Sequence, residues 1–230
     1  EMSIFSVTAL AEMQMFESLE QDQLIQLLDR HRESSHQPEQ VIVMEQDWGE
    51  SVFLLRSGLA KVRTYTTDGD EVVMSLLGAG DVFGEMAALD GAARSADVVA
   101  LTPLCLVKLR AVPFAALLAK QAGFALALAR LEAGRLRDLN RRFALQSADA
   151  TSRLLDALAY LARKNSGSDS DPQALIPPLA QREIALLAGL ARETASRTLS
   201  KLRQRNVVVE EEGGLRLVDL QPLQKRGLLD

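Results

Sequence analysis

Gln181-Arg182-Glu183-Ile184-Ala185-Leu186-Leu187-Ala188-Gly189-Leu190-Ala191-Arg192-Glu193-Thr194-Ala195-Ser196-Arg197-Thr198-Leu199 reads as two short helices, about 180–188 and 192–204, meeting at a glycine. Gly189 has no Cβ, which suits a sharp turn between them. On the second helix Ala195, Leu199 and Leu202, spaced 4 and then 3, form an inward stripe. Arg192 with Ser196, and Glu193 with Arg197, then share the outward side as i,i+4 pairs. Two strand-like runs follow, Val207-Val208-Val209 and Leu215-Arg216-Leu217-Val218, joined through Gly213-Gly214. Helix, tight turn, helix and hairpin are the outline of a winged helix-turn-helix.

Charge supports a nucleic-acid reading of that segment. Residues 182–205 hold six basic side chains against two acidic ones, a local +4 in a chain of net charge −5. Residues 1–148 carry 14 Lys+Arg against 20 Asp+Glu (−6), and residues 149–230 carry 12 against 11 (+1). Such a total argues against a uniformly basic coat and leaves room for a small, locally basic reader. An arginine fork matches the O6 and N7 acceptors of guanine, and a glutamate accepts from cytosine N4. A carboxylate facing phosphates is costly, so Glu193 needs a specific purpose there. The bland alternative is a solvated helix with incidental Glu–Arg pairs, against which the turn glycine and the hairpin both count.

Several classes fall away on composition. The chain has one cysteine and two histidines among 230 residues. Cys105 lies in Leu104-Cys105-Leu106-Val107 and reads as a buried strand thiol; alone it closes no intrachain disulfide and holds no iron–sulfur cluster. His31 and His36 flank a polar Ser-Ser stretch without ligand spacing and read as surface residues. No Ser/His/Asp or Cys/His set, metal cluster or Walker loop offers catalytic chemistry, so the chain is expected not to be an enzyme. No apolar run reaches the ~18 residues of a membrane span, and no signal-peptide pattern opens the chain. The expectation is a soluble protein of the reducing cytoplasm with no membrane partner.

The remainder divides by period. Leu19, Leu24, Leu27 and Leu28 mark a short amphipathic helix. Between about 40 and 110, the runs 41–43, 52–55, 60–63, 72–74 and 105–107 are β-rich and separated by Gly49, Gly58, Asp68-Gly69-Asp70, Gly78 and Gly80, which predicts a small antiparallel barrel or jelly roll. After Pro113 about thirty residues read as helix, with Phe124, Leu128, Leu131, Leu136, Leu139 and Phe143 on one face and Arg130, Arg135, Arg137 and Arg141 opposite. Pairing with a second copy would cover that stripe, the alternative being a helix folded back on its own barrel. A further helix (Leu154, Leu155, Leu158, Leu161) leads to a loop-like linker, 164–172. The predicted architecture is α+β, with an effector domain over 1–114, a dimerisation helix over 115–148 and a winged helix-turn-helix over 149–230.

Arg192-Glu193-Thr194-x-x-Arg197, with its lead-in Gln181-Arg182-Glu183-Ile184-Ala185, resembles the DNA-contacting signature of the cyclic-AMP receptor protein/FNR family of bacterial transcription regulators. The resemblance implies that Arg192, Glu193 and Arg197 read base edges of a TGTGA-like half-site, with Thr194 and Ser196 near the backbone or at secondary base contacts. Gln181, Arg182 and Lys201 complete the expected set. One departure is Ala180, where the family has a capping Thr; the missing cap is worth ~1 kcal/mol, while Glu183 still favours that helix start through the dipole.

Residues 80–96, Gly-Asp-Val-Phe-Gly-Glu-Met-Ala-Ala-Leu-Asp-Gly-Ala-Ala-Arg-Ser-Ala, resemble the phosphate-binding cassette of cyclic-nucleotide-binding domains, and so the barrel is read as a cyclic-nucleotide-binding domain. That implies a nucleotide held by Gly84, Glu85, Met86, Arg94, Ser95 and Ala96. Gly84 lets backbone approach a ligand, Glu85–Leu89 make one turn whose N–H groups favour an anion, and Arg94 and Ser95 donate to a phosphate diester. Glu85 suits a ribose 2′-hydroxyl; the plain alternative is a structural turn in which Arg94 pairs with Glu85 or Asp90. In the family a Thr–Ser pair on the long helix contacts adenine; aligned through Asp149-Ala150-Thr151-Ser152-Arg153-Leu154, that pair falls on Asp138 and Leu139. Leu139 offers no hydrogen bond, so Asp138 and Asn140 become the candidates. Cyclic AMP is the expected allosteric effector, with cyclic GMP or an empty cassette left open. No cofactor is required for chemistry. The implied partners are double-stranded DNA, a second copy of the chain and RNA polymerase. Two rival readings are a constitutive regulator with a vestigial pocket and a nucleotide-sensing module acting on a partner protein.

Overall fold

The structure, a computed structural model, describes residues 5–167 and 170–229. Of the expected linker, Ser168 and Asp169 lie outside the described residues. The chain divides into two compact units, one formed by residues up to 60 with 79–137, the other by 61–78 with 138–230.

The first unit opens with α1 (Val7–Ala11), capped by the Ser6 side chain accepting from the Ala9 N–H, and α2 (Gln21–Leu28), closed by a Glu20/Gln23 capping box. Neither α1 nor the first strand was expected. β1 (Arg32–His36), β2 (Val41–Val43) and β3 (Ser51–Ser57) come next; after β4 (Ala60–Tyr65) and β5 (Glu71–Leu77), the chain adds β6 (Val82–Phe83), α3 (Glu85–Asp90), β7 (Asp97–Ala100) and β8 (Leu104–Arg110). One sheet has the order β1-β8-β3-β6, antiparallel throughout, and β2 pairs with β7. The strands lie in separate sheets of jelly-roll type, not in one closed barrel.

Two sequence expectations change here. Cys105 is half-buried on β8 beside Ser35 Oγ at 3.5 Å, and is no core thiol; His36 is a half-buried strand residue whose Nε2 lies 3.0 Å from Ser34 Oγ.

The expected long helix is two. α4 (Ala111–Lys120) and α5 (Ala122–Ala144) bend by 108° at Gln121, which is extended at φ −112°, ψ 99°. Packing forces the break. Phe124 is fully buried between Phe16 (centroids 5.6 Å) and Phe114 (5.1 Å, edge-on), and a Cβ on Gly123 would meet Ser18 Cβ at 2.8 Å. The apolar stripe therefore splits: Phe124 and Leu128 belong to this unit's own core, while Leu136 (58% exposed) and Phe143 (71%) stay uncovered. Folding back on its own unit thus accounts for the first half of α5 and leaves the second half open.

The second unit joins the β4–β5 hairpin, from Lys61 onward, to α6 (Ala150–Asn165), α7 (Gln181–Ala188), α8 (Arg192–Gln204), the wing β9 (Val208–Glu211) and β10 (Gly214–Leu217), and α9 (Gln221–Gln224). Asp149 caps α6 by accepting from Ser152 N–H at 2.9 Å, which holds its carboxyl below the usual range. Leu154, Leu155, Leu158 and Leu161 are all buried, as their spacing predicts. Tyr160 is buried too, its hydroxyl accepting from the Leu76 N–H of β5 at 3.0 Å. α6 consumes the first two residues of the predicted linker, and Asn165 Nδ2 then ties it to the Leu175 carbonyl at 2.8 Å.

Candidate effector site and nucleic-acid interface

β6 delivers the chain to Gly84, which has φ 80°, ψ 6° and starts α3. A Cβ there would stand 2.5 Å from Arg94 Nη1, so glycine is required by conformation and by space. Arg94 is 7% exposed and threads inward: Nη1 donates to the Gly84 carbonyl (2.6 Å), Nη2 to the Ser51 carbonyl (2.7 Å), and the guanidinium lies 5.8 Å from the Phe53 ring centre. Its backbone is stapled to the preceding loop, N–H to Asp47 O at 2.9 Å and O from Gln46 N–H at 2.8 Å. Burial draws the Arg94 guanidinium below its usual value, while the Glu85 and Asp47 carboxylates act the other way. Arg94 thus pairs with neither Glu85 nor Asp90; it braces the cassette through backbone carbonyls.

Glu85 is 4% exposed, and its Oε2 has no hydrogen-bond partner. Burial pushes its carboxyl up to about 7; Arg135, whose Nη1 is 3.4 Å from Oε1, pulls it down, and Glu132 adds to the rise. Arg135 is the residue that sequence reasoning assigned to the solvent face of α5. In the structure it donates to the Val82 carbonyl and to Glu132 Oε1 (2.7 Å), with Asp81 at 3.9 Å, so it ties α5 to both ends of β6 and to Glu85. The Glu132/Arg135 spacing of three was the only signal of this in the sequence. Ser95 is exposed, its hydroxyl 3.9 Å from Met86 Sδ, and Ala96 is half-buried where β7 begins. The first unit therefore brings Gly84, Glu85, Met86, Arg94, Ser95 and Ala96 together. Asp138 and Asn140 fall in the second unit, where Asp138 pairs with Arg141 at 3.3 Å and Asn140 is exposed.

The helix-turn-helix appears at the bounds its spacing predicts. Gly189 is left-handed (φ 61°, ψ 36°) and ends α7, and the Leu190 N–H returns to Ala185 O at 2.9 Å. Arg153 of α6 braces the turn through the Ala188 carbonyl (3.1 Å) and the Gly189 carbonyl. Ala180 makes no side-chain cap, as expected, and Ala191 makes none for α8. Ile184, Ala185, Leu187, Ala195, Thr198, Leu199 and Leu202 form the buried side of the pair. Arg192, Glu193, Arg197 and Lys201 are exposed, and Thr194 and Ser196 are half-buried. No carboxylate lies within 4.0 Å of Arg192, Arg197, Lys201 or Arg205 among the described residues, so the incidental Glu193–Arg197 pair of the bland alternative does not form and those cations face outward unspent.

Arg182 is different. Its guanidinium stands 3.5 Å from Glu71 and 3.9 Å from Glu183, although it is 62% exposed. Glu183 in turn bonds Lys61, which Glu71 also holds. Burial raises the Glu71 carboxyl, but the Lys61 hydrogen bond, with the charges of Lys61, Arg63 and Arg182, outweighs it and holds Glu71 below the usual range. Beside this network lies a cavity of about 400 Å³ lined by Val73, Leu139, Phe143, Leu187 and Gly189 among others. Its arginines are already engaged: Arg142 donates to the Met74 (2.9 Å) and Val73 (2.6 Å) carbonyls.

Comparison with known proteins agrees with this layout. Residues 33–121 match the family described as a cyclic nucleotide-binding domain, and residues 152–226 match the Crp-like helix-turn-helix domain. The chain is 38% identical over 173 residues to the cyclic AMP receptor protein of Thermus thermophilus, covering 73% of this chain and 74% of that one. It is 26% identical over 186 residues to the CRP-like cAMP-activated global transcriptional regulator of Mycobacterium tuberculosis, covering 80% and 83%. In fold it is similar to FixK2 from Bradyrhizobium japonicum, with a TM-score of 0.71 at 21% identity over 85% of this chain and 96% of that one. No single helix among the described residues is long and apolar enough to cross a membrane. Cassette, recognition helix and relatives converge: the chain belongs to the cyclic-AMP receptor protein/FNR family, as a DNA-binding transcription regulator with a cyclic-nucleotide-binding domain.

Proposed function

We propose that this regulator works as a homodimer that reads a TGTGA-like palindrome and is controlled by cyclic AMP. The observation that carries the reading is α8, whose Arg192, Glu193, Arg197 and Lys201 are exposed together with no intramolecular ion pair among the described residues. An unpaired arginine fork and a carboxylate acceptor on one exposed helix face match the guanine and cytosine edges of a major groove. The uncovered Leu136 and Phe143 supply an apolar seam for a second copy, and two recognition helices about 34–36 Å apart would meet half-sites one helical turn apart. Gly84, Glu85, Arg94 and Ser95 hold the nucleotide, Arg94 exchanging a backbone carbonyl for the phosphate and Glu85 offering its unpartnered oxygen to the ribose. Cyclic AMP is favoured over other cyclic nucleotides by the relatives whose names state activation by it. Asp138 and Asn140 remain the adenine candidates, and reaching the base costs Asp138 its ion pair with Arg141. The nucleotide must bind the DNA-competent dimer better than the incompetent one, or it shifts nothing. Contact with RNA polymerase would complete the role of an activator.

The test is fluorescence anisotropy with a labelled duplex carrying TGTGA and TCACA half-sites six base pairs apart, titrated at fixed salt with and without cyclic AMP beside a scrambled duplex. Tight binding that depends on cyclic AMP supports both sites. Tight binding indifferent to the nucleotide keeps the DNA reading and makes the cassette a scaffold. Equal binding to both duplexes overturns the sequence-reading role of α8.

A further inference from the structure

In the second unit, α8 ends at Gln204 and the wing begins at Val208. Arg203, in the last turn of α8, points its Nη2 to Glu210 Oε1 of β9 at 2.6 Å. Arg216, on β10, places Nε 2.9 Å from both carboxylate oxygens of Glu211 across the wing and donates Nη1 to the Gln173 carbonyl at 2.7 Å. Glu212 stands exposed at the tip between them. Arg203 lies on the DNA-reading helix and Arg216 on the wing that follows it, and both are committed to carboxylates of the wing.

Geometry places the Arg203 pair within reach of DNA, and the wing that holds Arg216 continues the chain from that end of α8. Thirteen residues of α-helix are about 20 Å long, against a major groove about 12 Å wide. With the N-terminal half of α8 in the groove, its last turn comes within a Debye length, about 8 Å at physiological salt, of a phosphate strand. A free arginine there would displace a condensed counterion and steepen the salt dependence of binding. An arginine bonded to a glutamate carries no net charge to the phosphate.

We propose that the wing withholds Arg203 and Arg216 from DNA by pairing them with Glu210 and Glu211, so that the phosphate grip at this end of α8 is left to Lys201 and Arg205. This deepens the DNA-binding reading and rests on it. The base contacts of α8 then carry a larger share of the affinity, and less of the regulator is held on arbitrary sequence.

The experiment is the slope of log Kd against log salt for the full-length protein on a scrambled duplex, measured for wild type, Glu210→Gln/Glu211→Gln and Arg203→Gln/Arg216→Gln, with circular dichroism and melting to check the fold. Releasing the arginines is expected to steepen the slope by about 0.9 for each additional phosphate neutralised, and to tighten binding at low salt by tenfold or more. Removing the arginines is expected to leave the slope within about 0.3 of wild type, because they make no phosphate contact to lose. An unchanged slope in the glutamine-for-glutamate variant, or a slope falling by about 1.8 in the glutamine-for-arginine variant, overturns the proposal. The scrambled duplex separates this from the half-site reading, whose failure shows instead as equal wild-type affinity for scrambled and TGTGA duplexes. If neither wild type nor the glutamate variant binds DNA at low salt, both ideas fall.

Discussion

Lys61 and Glu183, 122 residues apart in sequence, meet at 2.5 Å in a site where Lys61 is 2% exposed and Glu71 completes the bridge at 2.6 Å. A desolvated ammonium is tolerated here because two carboxylates compensate its charge. Lys61→Met would leave Glu71 and Glu183 facing one another with Arg63 and Arg182 as the remaining cations nearby. The expected loss is about 3 kcal/mol, read from urea unfolding. A loss below about 1 kcal/mol would mean that water already reaches the bridge.

Glu85 gives the fold a pH dependence of defined sign. Its carboxyl is near 7 in the folded chain against 4.5 as the ordinary value, so between those limits the folded chain holds a proton that the unfolded chain has released. Stability from this group is therefore complete below about 4.5 and is lost as pH rises towards 7. Melting temperatures at pH 5 and pH 8 should differ more for wild type than for Glu85→Gln. Parallel pH profiles for the two proteins would contradict the burial of Glu85.

Arg94 is both brace and ligand candidate, so its removal should show twice. Arg94→Ala leaves the Gly84 and Ser51 carbonyls without their donor, a cost of about 1–3 kcal/mol. It should also abolish cyclic-nucleotide binding in calorimetry while the chain stays folded. Retained affinity would refute the pocket assignment.

Arg192→Ala should weaken binding to a TGTGA duplex by about 1–3 kcal/mol more than binding to a scrambled one, since a bidentate base contact is sequence-specific. Equal loss on both duplexes would make Arg192 a phosphate contact.

The uncovered half of α5 predicts a change of assembly. Replacing both Leu136 and Phe143 by Glu should convert a dimer to monomer in sedimentation without lowering helix content, because both side chains are largely exposed in the single chain. An unaltered sedimentation coefficient would place the dimer seam elsewhere.

What the sequence announced, it announced locally. Gly189 between two apolar-spaced helices, Gly213-Gly214 between strand runs and Gly84-Glu85 before a single turn are signals spanning a few residues, and the structure has a helix pair, a wing and α3 at those places. The misses have distant causes. The break at Gln121 follows from Phe124 packing on Phe16, about which a helical repeat is silent. β1 is polar because it is an edge strand, so Arg32–His36 lacks the alternation that reveals a strand. Arg135 sat on a face that looked solvated until Val82 and Glu85 were brought to it. The withdrawal of Arg182 towards Glu71 and of Arg203 towards Glu210 trims the local +4 that sequence arithmetic assigned to DNA.

Because residues 61–78 are built into the unit that also contains 138–230, that unit is discontinuous along the chain, and this has a consequence for its birth on the ribosome. Domains generally complete themselves as they emerge, at about 5–20 residues per second. Here Lys61 leaves the exit tunnel some 122 residues ahead of Glu183, a delay of roughly 6–24 s. For that interval the nascent hairpin has its Lys61–Glu71 bridge but neither Glu183 nor the helices α6 and α7 that later pack on β5, so the apolar side of β5 waits uncovered.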